Sequence, residues 1–252
     1  MDIRYSCNQK DFKRYTTEEM RDEMLITGLY KADEVVAVYS HVDRMVTLGC
    51  MPVHETVSID KGIDIWANFG THYFLERREI GMFNIGKDST GIVVADGVKY
   101  ELGYKDCLYI TKGTKEVTFA SADPEHPAKF YMVSAPAHLL LRDPPDQDGR
   151  CKPSSSGQRR DLQQAHDQPV HPSQRAQDLP AVHGYDRSGA RQQLEHHAQP
   201  HPRAPHGDLH RTFEVPRGQV VFHMCGEPTE TRHIVMHNYD AVISRPGAFT
   251  AA

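Results

Sequence analysis

Sixteen histidines make imidazole the first chemistry to weigh in this chain of 252 residues. His196, His197, His201 and His206 fall in one tract, and imidazole is the commonest metal ligand. Pro200, Pro202 and Pro205 interrupt that tract, so it reads as a compositional histidine run that binds metals only loosely. The run Arg232-His233-Ile234-Val235-Met236-His237-Asn238 carries a different possibility. As a strand it puts His233 and His237 on one face and Arg232 on the other. An inward Arg or His can hold a carboxylate. Arg232 and His233 are therefore the candidate substrate-binding residues, against the plainer reading of polar groups on a half-exposed strand. Glu76-Arg77-Arg78-Glu79 alternates in charge and could reach an acidic sugar, or form a solvated face or a subunit contact. Gly86-Lys87-Asp88-Ser89-Thr90-Gly91 lacks the spacing of a phosphate loop and leads into a strand, so it reads as a hairpin turn.

Bulk composition excludes several classes. With 25% charged residues, no run approaches the ~18 apolar residues needed to span a bilayer. A net charge of -5 argues against nonspecific nucleic-acid binding, which needs a basic patch. Met1-Asp2-Ile3-Arg4 opens into polar sequence with no apolar signal region. The five cysteines are odd in number, scattered, and form no CxxC pair. Reduced thiols in a cytoplasmic protein are expected.

The elements that must position these residues divide at a seam. Residues 141–212 hold 9 of the 16 prolines and 8 of the 16 histidines, but no Ile, Phe, Met or Trp. Such a stretch lacks the apolar surface to offset chain entropy and is expected to be irregular. On either side the chain is strand-rich. A first helix is expected over Thr16–Ile26, with Thr16 and Glu19 at capping-box spacing and Met20 and Met24 on one face. Strands follow at Glu34–Tyr39, Met45–Cys50, His54–Ile59, Tyr73–Ile85 (with Gly81 marking a bulge), Asp106–Thr111, Glu116–Ser121 and Lys129–Ser134. Asp96-Gly97 joins Ile92–Val94 to Val98–Tyr100 as a hairpin. Many short strands and little helix predict an all-β antiparallel fold, and a jelly-roll barrel fits best.

Several strings occur together and in order: Val38-Tyr39-Ser40-His41-Val42-Asp43-Arg44, Tyr73-Phe74-Leu75-Glu76-Arg77-Arg78-Glu79, Lys115 to Ser121, Pro127 to Tyr131, Ala135-Pro136-Ala137-His138, Val221-Phe222-His223-Met224, and Glu230 to Asn238. Together they closely resemble the 5-keto-4-deoxyuronate isomerases, a bicupin family of pectin breakdown. The resemblance implies two cupin barrels, a hexamer, Zn²⁺ in the second barrel, and a small acidic sugar as substrate. It also implies an aldose–ketose isomerisation of 5-dehydro-4-deoxy-D-glucuronate to 3-deoxy-D-glycero-2,5-hexodiulosonate. The alternative is a non-catalytic cupin serving oligomerisation or sugar binding.

The family's zinc ligands lie in a tract like N-T-M-P-x-H-x-H-E-R-R-M-E and in a later S-W-S-I-H-S-G, and neither is present. Codons that encode Glu195–Asp208 can nevertheless be chosen so that reading from the second nucleotide gives N-T-M-P-S-H-T-H-E-R-R-M-E. The same shift makes Asp161–Ala181 family-like, and Arg245–Ala252 read out of frame gives P-S-W-S-I-H-S-G. Three collinear matches point to a frameshifted middle and tail. The expected organisation is thus an intact N-terminal cupin barrel with its leading helix (1–138), an anomalous segment (139–212), a remnant of a second barrel (213–244) and a tail (245–252). No metal ligand is expected in frame. The remnant strands should pair with each other or lean on the first barrel, leaving Val221 and Ile234 partly uncovered.

Overall fold

Short runs of β-branched and aromatic residues, each closed by a polar or glycine-bearing turn, favour strands over helices. The computed structural model describes residues 1–6, 8–137, 166–169, 183–186, 208–212, 214–227 and 230–244. The first elements are β1 (Asp2–Arg4), α1 (Gln9–Phe12), α2 (Thr17–Met24), β2 (Leu25–Ile26), β3 (Val35–Ser40), β4 (Val46–Cys50), β5 (Val57–Ser58) and α3 (Ile65–Phe69). Then come β6 (Arg78–Asn84), β7 (Gly91–Ala95), β8 (Val98–Leu102), β9 (Cys107–Ile110), β10 (Val117–Ser121) and β11 (Phe130–Pro136). Six more are β12 (His166–Pro169), β13 (His183–Asp186), β14 (Asp208–Arg211), β15 (Val221–Glu227), β16 (Glu230–Met236) and β17 (Ala241–Ser244).

The ladders of the first half are nested. β7 pairs with β8, β6 with β9, β5 with β10 and β4 with β11, all antiparallel. A chain doubled along its length and rolled up gives this order, and alternate pairs then fall into two sheets: β1-β3-β4-β11-β6-β9 and β5-β10-β7-β8. That is jelly-roll topology. The all-β cupin class expected from the sequence holds, although β1 joins β3 in parallel. Between the two sheets lie Leu48, Met82, Val93, Leu102, Phe119, Phe130 and Met132, all buried.

The six-stranded sheet is covered on its other face as well. Along β11, Phe130 and Met132 enter the first core, whereas Tyr131 and Val133 enter a second. The second core also takes Val38, Phe83, Ile26, Ala241 and Ile243. The last three belong to a third sheet, β14-β17-β2, in which the short β2 pairs with β17. A third apolar layer joins Met20, Met24, Leu25 and Val242 to Cys225, Ile234 and Met236 of the antiparallel β15–β16 pair.

Several expectations hold locally, and others are overridden by distant partners. Thr16 caps α2, its hydroxyl accepting from the Glu19 N–H while Glu19 accepts from the Thr16 N–H. The helix ends at Met24 because Leu25 and Ile26 are taken into β17's ladder. The Asp96-Gly97 hairpin is present, with φ of 45° and 84°. Gly81 is not a bulge, since it keeps register with both Val133 and Tyr109. The strand expected over His54–Ile59 shrinks to two residues, because Asp33 Oδ1 accepts the N–H groups of Val53, His54 and Glu55 and folds the chain into a turn. Gly86–Gly91 is not a hairpin: it carries the chain from β6 in one sheet to β7 in the other. Ile234 is not left uncovered, because α2 lies on it.

Within 139–212, β12 pairs with β13 and β14 with β17. Ladder hydrogen bonds are made by the backbone, so these pairings need no apolar side chains. Residues 139–165, 170–182 and 187–207 and the tail 245–252 lie outside the described residues. Cys50 and Cys225 are free thiols, but Cys107 is disulfide-bonded, contrary to the expectation of reduced thiols throughout. Positions scattered in sequence carry no information about closeness in space, which is what a disulfide requires.

If both faces of the six-stranded sheet are core, truncation on either should cost alike. Met132→Ala, in the first layer, should lose about 2–5 kcal/mol, and Phe83→Ala, in the second, about 3–5 kcal/mol. Urea denaturation of each variant measures this, and a near-neutral Phe83→Ala would mean that the outer layer is not a core.

Candidate functional site

The β15–β16 hairpin decides where the candidate residues point. Its register sets Cys225 opposite Arg232, Met224 opposite His233 and His223 opposite Ile234. With side chains alternating along each strand, Val221, His223 and Cys225 share one face with Arg232, Ile234 and Met236. That face meets Met20 and Met24 of α2 and Val242 of β17. Phe222, His233 and His237 lie on the other side, exposed to solvent.

Arg232 and His233 are therefore not brought together. Arg232 is half-buried, its Nη1 donates to the Phe12 carbonyl at 2.8 Å, and its guanidinium lies 5.8 Å from the Phe12 ring centre. His233 is exposed and meets the Phe222 ring edge-on at 5.7 Å. The histidine on Arg232's side is instead His223, which is fully buried. Spacing alone did not single it out, because a histidine between Phe222 and Met224 reads as an interruption in an apolar strand. The alternation Val221, His223, Cys225 was the available signal. Burial pushes the Cys225 thiol up to about 11, with the Arg232 charge opposing. Asp240, just before β17, is buried and raised by that burial, while its Oδ2 accepts the His237 N–H at 2.7 Å.

The charged run 76–79 divides between surface and scaffold. Arg77 is exposed, and Glu76 accepts from both the N–H and Nδ1 of His72. Arg78 is not on a solvated face. Its Nε donates to Ser134 Oγ at 3.1 Å, and its Nη2 to the carbonyls of Ser134 at 2.9 Å and Arg44 at 2.7 Å. Burial lowers its pKa to about 10. Asp43 and Arg44 both sit at φ 54°, so Arg78 ties down the β3–β4 turn where the backbone is least comfortable. Glu79 accepts from the Tyr109 hydroxyl at 2.8 Å.

Metal chemistry finds no donor set here. Among the described residues no group of three or more His, Cys, Asp or Glu comes together to hold an ion. The interior of the first jelly roll is aliphatic and aromatic. The His196–His206 tract lies outside the described residues. No helix among those described is long and apolar enough to cross a membrane.

No family model matches the chain. Individual relatives do. The 4-deoxy-L-threo-5-hexosulose-uronate ketol-isomerase of Lachnoclostridium phytofermentans is 37% identical over 264 residues, covering 97% of this chain and 86% of its own. Those of Lachnospira eligens and Escherichia coli are 36% and 38% identical with the same coverage. The chain belongs to the 4-deoxy-L-threo-5-hexosulose-uronate ketol-isomerase family. It is thereby a member of a family of isomerases, as the strings around Arg78 and Arg232 implied. Among solved structures, a cupin protein from Bacteroides fragilis is 21% identical over 38% of this chain and 69% of its own, with a TM-score of 0.27. Protein Ylba from E. coli is 13% identical over 82% of this chain and 70% of its own, at 0.41. These likenesses are too partial to add to the argument from strand order.

The buried thiols of this ketol-isomerase relative give a signed pH dependence. Folding raises Cys225 from 9.0 to about 11 and Cys50 to about 12, both chiefly by burial. The folded state thus keeps protons that the unfolded chain gives up first. Their contribution is fully present below pH 9 and is lost as pH rises through the folded values. Urea midpoints across pH 8–11 should fall with alkali, and Cys225→Ala should flatten that fall. An unchanged slope in Cys225→Ala would show that the thiol is not held protonated by the fold.

Proposed function

We propose that this chain's reaction is the ketol isomerisation of 5-dehydro-4-deoxy-D-glucuronate to 3-deoxy-D-glycero-2,5-hexodiulosonate. The single observation supporting this reading is the agreement of relatives so named, at 36–38% identity over 97% of the chain. The setting we propose is pectin and uronate catabolism in the cytoplasm, by a hexamer. Such an isomerisation moves a proton between adjacent carbons through an enediolate, which needs a base and a group to stabilise the developing charge. No described residue is assigned as the base. For the substrate carboxylate we keep Arg232, whose planar fork suits bidentate pairing. His233 faces away from it, and the imidazole on Arg232's side of the hairpin is His223, which is buried.

The family's Zn²⁺ does not fit the described residues, because no donor set of three is assembled among them. No step is therefore derived through a metal, and we propose that this polypeptide holds no specific zinc. Catalytic zinc requires three protein ligands in fixed geometry around an open position. The apolar filling of the first jelly roll favours a scaffold role for that half. A non-catalytic module, for oligomerisation or sugar binding, is the reading that follows if turnover is absent altogether.

The test compares this chain with a version in which the reading frames of 139–212 and 245–252 are restored, each dialysed against excess weak chelator. Bound zinc and turnover of the uronate are then measured. The restored chain should gain both together, and the present chain should lack both. One zinc per subunit with comparable turnover in the present chain would overturn the placement of the site.

A further inference from the structure

Arg78 is a buried charge without a counter-charge. The residue is 6% exposed, and all three of its hydrogen bonds go to neutral oxygens, on Ser134 and Arg44. It makes no ion pair among the described residues. Glu76 is turned to His72, and Glu79 lies on the opposite face of β6, against Tyr109. A buried charge left unpaired is costly, because low dielectric penalises an ion that has no partner. Burial accordingly lowers the Arg78 pKa to about 10, with the nearby Tyr39 opposing.

The donors that remain are aimed at one place. Nε and Nη2 are spent on Ser134 and Arg44, which leaves the two N–H groups of Nη1. Arg78 shares the inner side of β6 with Ile80 and Met82, as Ser134 does on β11 with Met132 and Tyr39 on β3 with Ala37. The ladders set Tyr39 opposite Val46, and Val46 opposite Ser134. Arg78 crosses Ser134 to reach Arg44, two residues before Val46, so its guanidinium comes to the end of β3 where Tyr39 stands. Phe69 of α3 joins the two, 5.3 Å from the guanidinium and 6.0 Å from the Tyr39 ring. Tyr39 meets His41 and Phe69 through its ring, and its hydroxyl donates to no described residue. Neither that hydroxyl nor Arg78 Nη1 is among the polar atoms that the fold seals without a partner, so both meet solvent.

We propose that Arg78 and Tyr39 form a carboxylate site at the rim of the first jelly roll, with Phe69 as its apolar wall. One carboxylate oxygen accepts from Arg78 Nη1 and the other from the Tyr39 hydroxyl. A single charge with few free donors suits a small organic monoanion and disfavours a phosphate dianion. An apolar wall with a few converging polar groups is what ligand sites in barrel mouths share. The rest of the ligand points past Phe69 to solvent, because Ile80 and Met82 fill the interior below. The inference does not depend on Arg232, which stands on a different sheet.

Calorimetry on the full chain tests it, with galacturonate as the organic acid, galactose as its neutral counterpart and chloride as an inorganic monoanion. Galacturonate should bind, galactose should not, and chloride at the same concentration should not displace the acid. Tyr39→Phe keeps the ring contacts with Phe69 and His41, so its urea midpoint should be unchanged while its affinity for galacturonate falls about tenfold. Arg78→Gln should abolish binding, and if it fails to fold, Tyr39→Phe decides alone. Arg232→Gln should leave the Tyr39-dependent binding in place. Binding that Arg232→Gln abolishes and Tyr39→Phe leaves unchanged would put the carboxylate at the hairpin and overturn the rim site, while sparing the reading of Arg232. Equal displacement by chloride would overturn the carboxylate assignment, and so would no binding of galacturonate at all.

Discussion

The centre of the six-stranded sheet has no solvent face. Sheets of antiparallel strands can leave one side wet and so alternate between apolar and polar residues. Here β4 and β11 are apolar or small on both sides, because one side faces β5-β10-β7-β8 and the other faces β14-β17-β2. A one-residue slip of β11 would exchange Phe130 and Met132 for Tyr131 and Val133 in the first core. The two cores are lined by different residues, so that exchange is not neutral even though every residue involved is apolar. Register is fixed by packing on two sides at once.

Polar groups inside such a layer must be fully answered, since an unpaired one is costly in low dielectric. Asn84, wholly buried at the end of β6, shows how this is done. Its amide nitrogen donates to the carbonyls of Ser89 and Leu102, and its oxygen accepts from the N–H groups of Gly86 and Lys129. One side chain thereby ties the crossover between the two sheets to β8 and to the approach to β11. Gly86 is needed for the same reason, because a Cβ there would lie 2.5 Å from Ser89 Oγ and 2.9 Å from the Pro127 carbonyl. Arg78 does at the opposite end of β6 what Asn84 does here, and it carries a charge while doing so.

Legibility in the sequence followed range. The capping box of Thr16 and Glu19, the Asp96-Gly97 turn, and the opposed faces of Arg232 and His233 depend on neighbours a few residues away, and each could be read directly. Strand number and even spacing carried the jelly roll, because nested pairing follows from a chain doubled on itself. Features set by distant partners were not legible. Nothing local distinguishes Arg78 from Arg77, yet Ser134 and the Arg44 carbonyl draw one inward and leave the other in water. Leu25 and Ile26 extend the helix pattern perfectly well and were lost to β17 only because that strand, more than two hundred residues away, needed an edge partner. His223 was hidden for a related reason: its side of β15 is defined by α2, not by anything in the strand itself.

The two ends of the chain depend on each other. A two-stranded ribbon is at best marginal alone in water, so β15–β16 draws its stability from the layer made by α2, Leu25 and Val242. Val242 is held in turn by β17, whose Ala241 and Ile243 pack on the outside of the first jelly roll. Tyr239 extends this seam, edge-on to Tyr30 at 5.5 Å and beneath Lys129 Nζ at 4.7 Å. The face bearing Arg232 and His223 therefore exists only as far as the N-terminal segment and the first jelly roll support it. This is why the hairpin can keep a buried inner face here, although a ribbon of the same sequence with nothing to lie on could not.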